Sequence, residues 1–501
     1  LVETVAMNFY AAEFPSATTL AREGKRATKL LRDLRAGDAG SAARFRYNHP
    51  RFAWMTDEAI RETARMPDAR FVAAREYGFS SWARLREHLE GLGGKREVRH
   101  PFETGLQYYR DRAAGMLSVF DTGERNAVRL VRLFHPDYAA APESDIRAAK
   151  LTQADAELTL AREHGFETFD AFGTYIEALR EQRVSEPFAI AFAAIKADDR
   201  ALLNELLTLH PRLANAAGTN GNRLLLLAMS FGRTAMVHDL LDAGADPDLP
   251  NNKGWTALHQ AAYADPAADP AGALAMLDAL LKAGASPFAQ AYGDGGTPLA
   301  VALFWGHRVL AERLATPMVA PSSLRVAAGL GRLDLMEQFF VGKQLRPEAR
   351  WHREFHRPHS GFPPWRPNDH AGEILGEALT YAARSGRIEA MALLAERGAD
   401  LDAEPYNGTA LHWAVARRQP EAAAWLIDHG ADINRRAGFG GTSGVTPLHV
   451  AAAWEGSPDC ARLLVARGAD VTVKDPEHNG TPADWARHFN NPQIAAMLSK
   501  P

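Results

Sequence analysis

The stretch "NGTALHWAVARRQPEAAAWLIDHGADIN" at residues 407–434 decides the fold. Thr409 precedes Ala-Leu-His, and a Thr there can cap a helix that starts at the next residue. Gly430 stands where the chain leaves a second helix, a place suited to the left-handed conformation that side chains with a Cβ avoid. The small alanines between these marks let neighbouring helices approach closely. The segment therefore reads as helix, turn, helix, turn.

Both marks recur along the chain. The first returns in "GWTALHQAA" at 254–262, "GGTPLAVAL" at 295–303, "GVTPLHVAA" at 444–452 and "NGTPADWAR" at 479–487. The second returns in "DAGADPD" at 242–248, "KAGASPF" at 282–288, "ERGADLD" at 396–402 and "ARGADVT" at 466–472. Apolar pairs such as Leu240-Leu241, Leu280-Leu281, Leu393-Leu394 and Leu463-Leu464 mark second helices. Looser copies stand at 221–232, 322–331 and 376–386, with a first helix pair at 188–216, giving about nine units that end in a cap at 480–501. These paired motifs resemble the ankyrin-repeat family. The resemblance implies an all-α ankyrin-repeat solenoid in which each unit buries its apolar face only by stacking on its neighbours. In this template His259, His412 and His449 are expected to bridge adjacent loops by hydrogen bonds and not to act in catalysis. Arg223, Ala300, Arg325 and Thr380 replace template residues and mark less regular units.

Residues 1–16 read as a tail, 17–186 as a divergent duplicated helical region, and 187–501 as the repeats. The duplication shows in "NHPRFAWM" at 48–55 with "AREYGFSSWARLREHLEGL" at 74–92, against "FHPDYAAA" at 134–141 with "AREHGFETFDAFGTYIEAL" at 161–179. It resembles the helical leader of bacterial ankyrin-repeat proteins. The Ala-Arg-Glu motif reads as a helix ending at Gly78 or Gly165. Phe79 or Phe166 would fold back on the core, and a new helix would start at Ser80 or Thr168. A site built on Arg75/Glu76 and Arg162/Glu163 is the minor alternative. His49, His135 and His210 precede prolines and read as helix ends.

A formal net charge of −4 over 501 residues gives no support to nucleic-acid binding. The one cysteine, Cys460, excludes an intramolecular disulfide framework and fits a reducing, cytoplasmic compartment. No run is long and apolar enough for a membrane span, and residues 1–20 lack signal-peptide features. Leu1 in place of Met leaves room for a segment removed earlier.

The period breaks at about 342–372, "GKQLRPEARWHREFHRPHSGFPPWRPNDHAG", and more briefly at 263–272. Long insertions in compact repeats are usually functional or disordered. The larger one holds His352, Glu354, His356, His359, Asp369 and His370, which are the candidate catalytic groups. If 347–357 is helical, His352 and His356 share a face, a spacing able to hold a divalent transition metal. Arg353 stands where a zinc protease needs Glu, so that reading fails, and no metal or cofactor is assigned. Arg346, Arg350, Arg353, Arg357 and Arg366 make the segment basic and suited to an anionic partner.

The first helices place Tyr263, Phe304, Trp305, Tyr381, Arg384, Trp413, Arg417, Trp454 and Trp485 at positions expected to be exposed on a concave face. Aromatics and Arg are favoured at binding hot spots. All but Trp485 are the candidate binding residues. They suggest a cleft bounded by the insertion and the helices around 297–306, 376–386 and 408–418. The leading expectation is a bacterial binding protein that takes a protein or peptide partner on this face. The alternative is an enzyme or small-molecule binder with a pocket under the insertion, acting on a small organic ligand by acid-base or metal-assisted chemistry. No nucleic-acid or membrane partner is expected.

Overall fold

The computed structural model describes residues 18–499 apart from 50–51, 53–54, 77–81, 83–84, 87–98, 122–124, 140, 268, 288, 292–294, 316–322, 347–369, 406 and 455. The chain forms two compact units, one taking in 299–501 and the other most of 10–298. The fold is all-α, a stack of ankyrin repeats with two short β-hairpins.

In the second of these units the leader helices come in two sets. The first set is α1 Leu20–Arg35, α2 Ala39–Asn48, α3 Asp57–Thr63 and α4 Met66–Glu76. The next is α5 Leu106–Asp121, α6 Arg125–Phe134, α7 Glu143–Ala148 and α8 Gln153–Glu163, followed by α9 Phe169–Arg180. Leu106 lies 106 − 20 = 86 positions after Leu20, and Gln153 lies 153 − 66 = 87 after Met66. Helices α1 and α5 are both 16 residues long, and α4 and α8 both 11. The two sets also share a polar lock. His49 Nε2 pairs with Asp68 at 3.2 Å, and His135 Nε2 with Asp155 at 3.5 Å.

The motif glutamates are buried anchors in both sets. Glu76 takes a bidentate pair from Arg44 at 2.6 and 2.8 Å and a contact from Arg26. Glu163 accepts from Asn220 N at 3.0 Å and from Asn252 Nδ2 at 2.8 Å. Gly165 takes φ +82°, Phe166 N donates back to Ala161 O at 3.0 Å, and Thr168 caps α9. The second motif is thus a helix end that packs Phe166 against Tyr109, Leu160 and Phe172. Residues 78–80 of the first motif lie outside the described residues.

Nine helix pairs follow among the described residues. They are α10 Pro187–Ala197 with α11 Arg200–Leu209, α12 Leu224–Ser230 with α13 Thr234–Asp242, and α14 Ala257–Tyr263 with α15 Pro270–Lys282. Next come α16 Pro298–Phe304 with α17 Arg308–Leu314, α18 Leu324–Leu330 with α19 Leu333–Met336, and α20 Ala371–Arg384 with α21 Ile388–Glu396. The last are α22 Ala410–Ala416 with α23 Pro420–Asp428, α24 Pro447–Ala452 with α25 Pro458–Ala466, and α26 Pro482–His488 with α27 Pro492–Leu498. Hairpin β1 Phe340–Val341 with β2 Gln344–Leu345 follows α19, and β3 Ala437–Phe439 with β4 Thr442–Val445 follows α23.

The template marks do what their chemistry predicts. Thr409, Thr446 and Thr481 cap α22, α24 and α26. Glycines 244, 284, 398, 430 and 468 end second helices with φ between +85° and +99°. The histidine Nδ1 of His259, His412 and His449 accepts from the capping Thr backbone N–H. Nε2 therefore carries the proton and donates at 3.1 Å to Gly296 O, Val445 O and Gly480 O in the next loop. Burial holds His259 and His412 down at about 4, so both rings stay neutral.

Candidate functional site

The first helices of the 299–501 unit are seven residues long at α16, α18 and α22, but α20 has fourteen. Glu377 occupies the place where other repeats carry their capping Thr, yet it lies inside α20 because the helix begins at Ala371. Glu377 is buried there, whereas Glu373, one turn earlier, is half-buried.

Three arginines and a carboxylate organise this region. Arg384 is fully buried and sits 3.7 Å from the Trp413 ring centroid, 4.5 Å from Tyr381 and 4.9 Å from Phe304. Its Nη1 donates to Phe304 O at 2.7 Å and its Nε to Thr380 O at 3.2 Å. A guanidinium suits this cage because its flat face stacks on rings while its edge satisfies carbonyls. Arg325 of α18 pairs with Glu377, both side chains under a tenth exposed. Burial pushes the Glu377 carboxyl up, against the opposing pull of Arg325 and Arg384. Arg387 joins α18 to α17, donating to Gly329 O at 3.2 Å and to Glu312 at 2.7 Å.

The rings form a succession that leads outward. Phe304 meets Trp413 at 5.4 Å, Trp413 meets Phe439 of β3 at 4.9 Å, and Phe439 meets Trp454 at 6.1 Å. Trp454 in turn meets Phe489 at 5.7 Å, which meets Trp485 at 5.9 Å. The inner members are buried, whereas Trp454 is 44% exposed. Its backbone is left-handed at φ +45°, a rare state for a bulky residue, and Asn491 Nδ2 holds its carbonyl at 2.9 Å. The indole lies over the hairpin turn: a Cβ at Gly440 would stand 2.3 Å from its Cη2.

This arrangement corrects the expectation that the aromatic and Arg positions are all exposed. Phe304, Tyr381, Arg384, Trp413 and Trp485 are buried. Tyr381, Trp413 and Trp485 stand four residues after the cap position, a place also buried in other repeats at Leu227, Val301 and Val450. At Gly329 of α18 a Cβ would meet Leu303 at 3.0 Å and Tyr381 Cβ at 3.6 Å, so α16 and α20 close over it. Trp305 and Arg417 are half-buried, and Tyr263 and Trp454 are exposed. Tyr263 belongs to the other compact unit.

Of the insertion's candidate groups, His352, Glu354, His356, His359 and Asp369 lie outside the described residues. His370 is exposed at the start of α20. Among the described residues no group of three His, Cys, Asp or Glu is placed to hold a metal ion, and no helix is long and apolar enough to cross a membrane. Sequence reasoning missed Glu377 and Phe439 as members of this region. The signal for Glu377 was a template Thr replaced by an acidic residue with helix formers just upstream.

Three family models match parts of the chain. Ankyrin repeats (3 copies) match residues 362–437, ankyrin repeats (many copies) match 225–266 and 411–464, and a single ankyrin repeat matches 253–292. No curated protein matches the chain. Residues 225–292 and 362–464 thus match ankyrin repeats by sequence, a repeat that generally mediates protein–protein interaction.

Proposed function

We propose that this protein binds a protein or peptide partner through the first-helix face of the 299–501 unit around Trp454, Arg417 and Trp305, together with the 342–372 insertion. The observation that carries this reading is the ring succession. It surfaces at one half-exposed indole, Trp454, whose carbonyl is held by Asn491 and whose ring lies over Gly440. A rigid, partly exposed Trp backed by buried aromatics is the kind of anchor that contributes most to interfaces. The buried lone Cys460 and the mixed charge support a partner met in a reducing compartment, and a bacterial cytoplasm is the proposed setting. The test is photo-crosslinking from position 417 in the native host, with Trp454 intact or replaced by Ala. A discrete adduct lost in the Trp454→Ala protein supports the reading, and an adduct unchanged by that replacement overturns it.

A second reading is favoured by one observation, the buried Arg325, Glu377 and Arg384 of α18 and α20. Buried, perturbed ionisable groups held close together are candidates for a ligand site. In this reading a small organic ligand binds beneath the insertion. A panel of organic acids and amines screened by thermal shift, with Glu377→Gln as control, separates the two readings. A ligand-dependent stabilisation absent in the variant supports the pocket, and no stabilisation across the panel counts against it.

A further inference from the structure

The leader does not merely precede the repeats; it grips two of their turns. His100 N donates to Ala217 O at 2.8 Å and Thr219 N to His100 O at 3.0 Å, a short strand-like junction beside the first repeat. Phe102, 6% exposed, lies 4.6 Å from the Phe192 ring and 6.2 Å from that of Phe188, both on α10. Gly218 has no room for a side chain there, because a Cβ would stand 2.5 Å from Phe188 and 2.8 Å from Phe102.

The polar part is clearer still when the two leader sets are compared. Arg112 stands 112 − 26 = 86 positions after Arg26, and Glu163 stands 163 − 76 = 87 after Glu76. In the first set Arg26 and Glu76 contact one another. In the second set both groups turn to one repeat residue: Arg112 donates to Asn220 Oδ1, and Asn220 N donates to Glu163 at 3.0 Å. Asn252, in the equivalent turn of the next repeat, donates from Nδ2 to the same Glu163 oxygen at 2.8 Å. Its carbonyl accepts from Arg129 at 3.2 Å. The turns themselves are tied, Asn252 N to Asn220 O at 2.6 Å.

We infer that leader residues 99–180 are the N-terminal cap of the repeat stack, clasping the Asn220 and Asn252 turns so that leader and first repeats fold as one cooperative element. Terminal repeats of a stack lack a neighbour on one side and need a covering element. Phe102 supplies the apolar cover. A buried carboxylate shared by two turns supplies register, since it is satisfied only when both turns and the leader are in place.

The test is hydrogen exchange by mass spectrometry on the full chain. In Glu163→Ala, and separately in Asn252→Leu, amides of α8–α9 and of α10–α13 should lose protection together by tenfold or more. Glu76→Ala should lose protection in α1–α4 alone. Should the alanine variant fail to fold, Glu163→Gln keeps an acceptor and should show a smaller loss in the same helices. Loss confined to α8–α9 with α10–α13 at wild-type protection would overturn the inference. So would wild-type protection throughout, or a loss spread evenly over the chain.

Discussion

The guanidinium of Arg384 lies 3.7 Å from the centre of the Trp413 ring while its Nη1 donates to the carbonyl of Phe304. One side chain therefore joins the repeats of α16, α20 and α22. Arg384→Ala should cost about 3–5 kcal/mol, since it leaves a cavity among three rings and orphans buried carbonyls. Arg384→Met, which keeps most of the volume, should cost less. Urea midpoints followed by tryptophan fluorescence measure both, and equal midpoints for the two variants would contradict the account.

The Arg325–Glu377 pair should show the asymmetry of buried ions. Removing one partner strands the other, so Glu377→Ala should destabilise by about 3–5 kcal/mol. The double variant Arg325→Met/Glu377→Leu should recover much of that loss. A double-mutant cycle on the full chain reads the coupling, and additive single effects would show that the pair is not coupled.

Acid should weaken the repeats through the loop-bridging histidines. His259 and His412 are held at about 4 against an ordinary value of 6.5, so the unfolded chain takes protons that the folded one refuses. Their contribution is fully present above about pH 6.5 and is lost as pH falls towards 4. The full loss is on the order of 3 kcal/mol per ring at 1.36 kcal/mol per pKa unit. Thermal melts between pH 7 and 4 should slope down, and His412→Gln should flatten that slope. An unaltered slope in the variant would sink the idea.

Gly440 is a sensitive position for two reasons: its φ is +61°, and the Trp454 ring occupies the space of any Cβ. Gly440→Ala should lift the indole off the hairpin, at a cost of roughly 1–2 kcal/mol. The change should be visible as red-shifted emission and faster quenching by acrylamide. Trp454→Gly should relieve the left-handed strain and leave stability within about 1 kcal/mol of wild type.

The repeat architecture was legible because its marks are local. A Thr that caps and a Gly that ends the second helix each act within one turn of chain, and the His three residues after the Thr ties its repeat to the next loop. The site was less legible because its geometry depends on residues remote in sequence. Tyr381 and Trp413 stand four residues after the cap position, where Leu227, Val301 and Val450 are buried as well, whereas the exposed Tyr263 and Trp454 stand seven and eight residues after theirs. How closely Tyr381 packs depends on the thinness of α18 at Gly329, more than fifty residues before it. Helix α20 misled for a related reason: the template places a cap at Glu377, but nothing there stops the helix from running back to Ala371. The sequence reads Glu163 as part of a helix end, with a site on Arg162/Glu163 as the minor alternative; its anchoring role stays hidden because its partners Asn220 and Asn252 belong to the repeats.

The contact of Phe304 with Trp413 joins the first and last of four successive repeats, since the pairs led by α18 and α20 intervene in sequence. In a linear array each module answers only to the next, so modules can fray singly from an end. A tie that skips two modules abolishes that independence. Between α16 and α22 the array should yield as a block, and a repeat could not be excised or inserted there without unravelling its neighbours. The segment would behave under tension as a knot in a rope, resisting until it releases all at once.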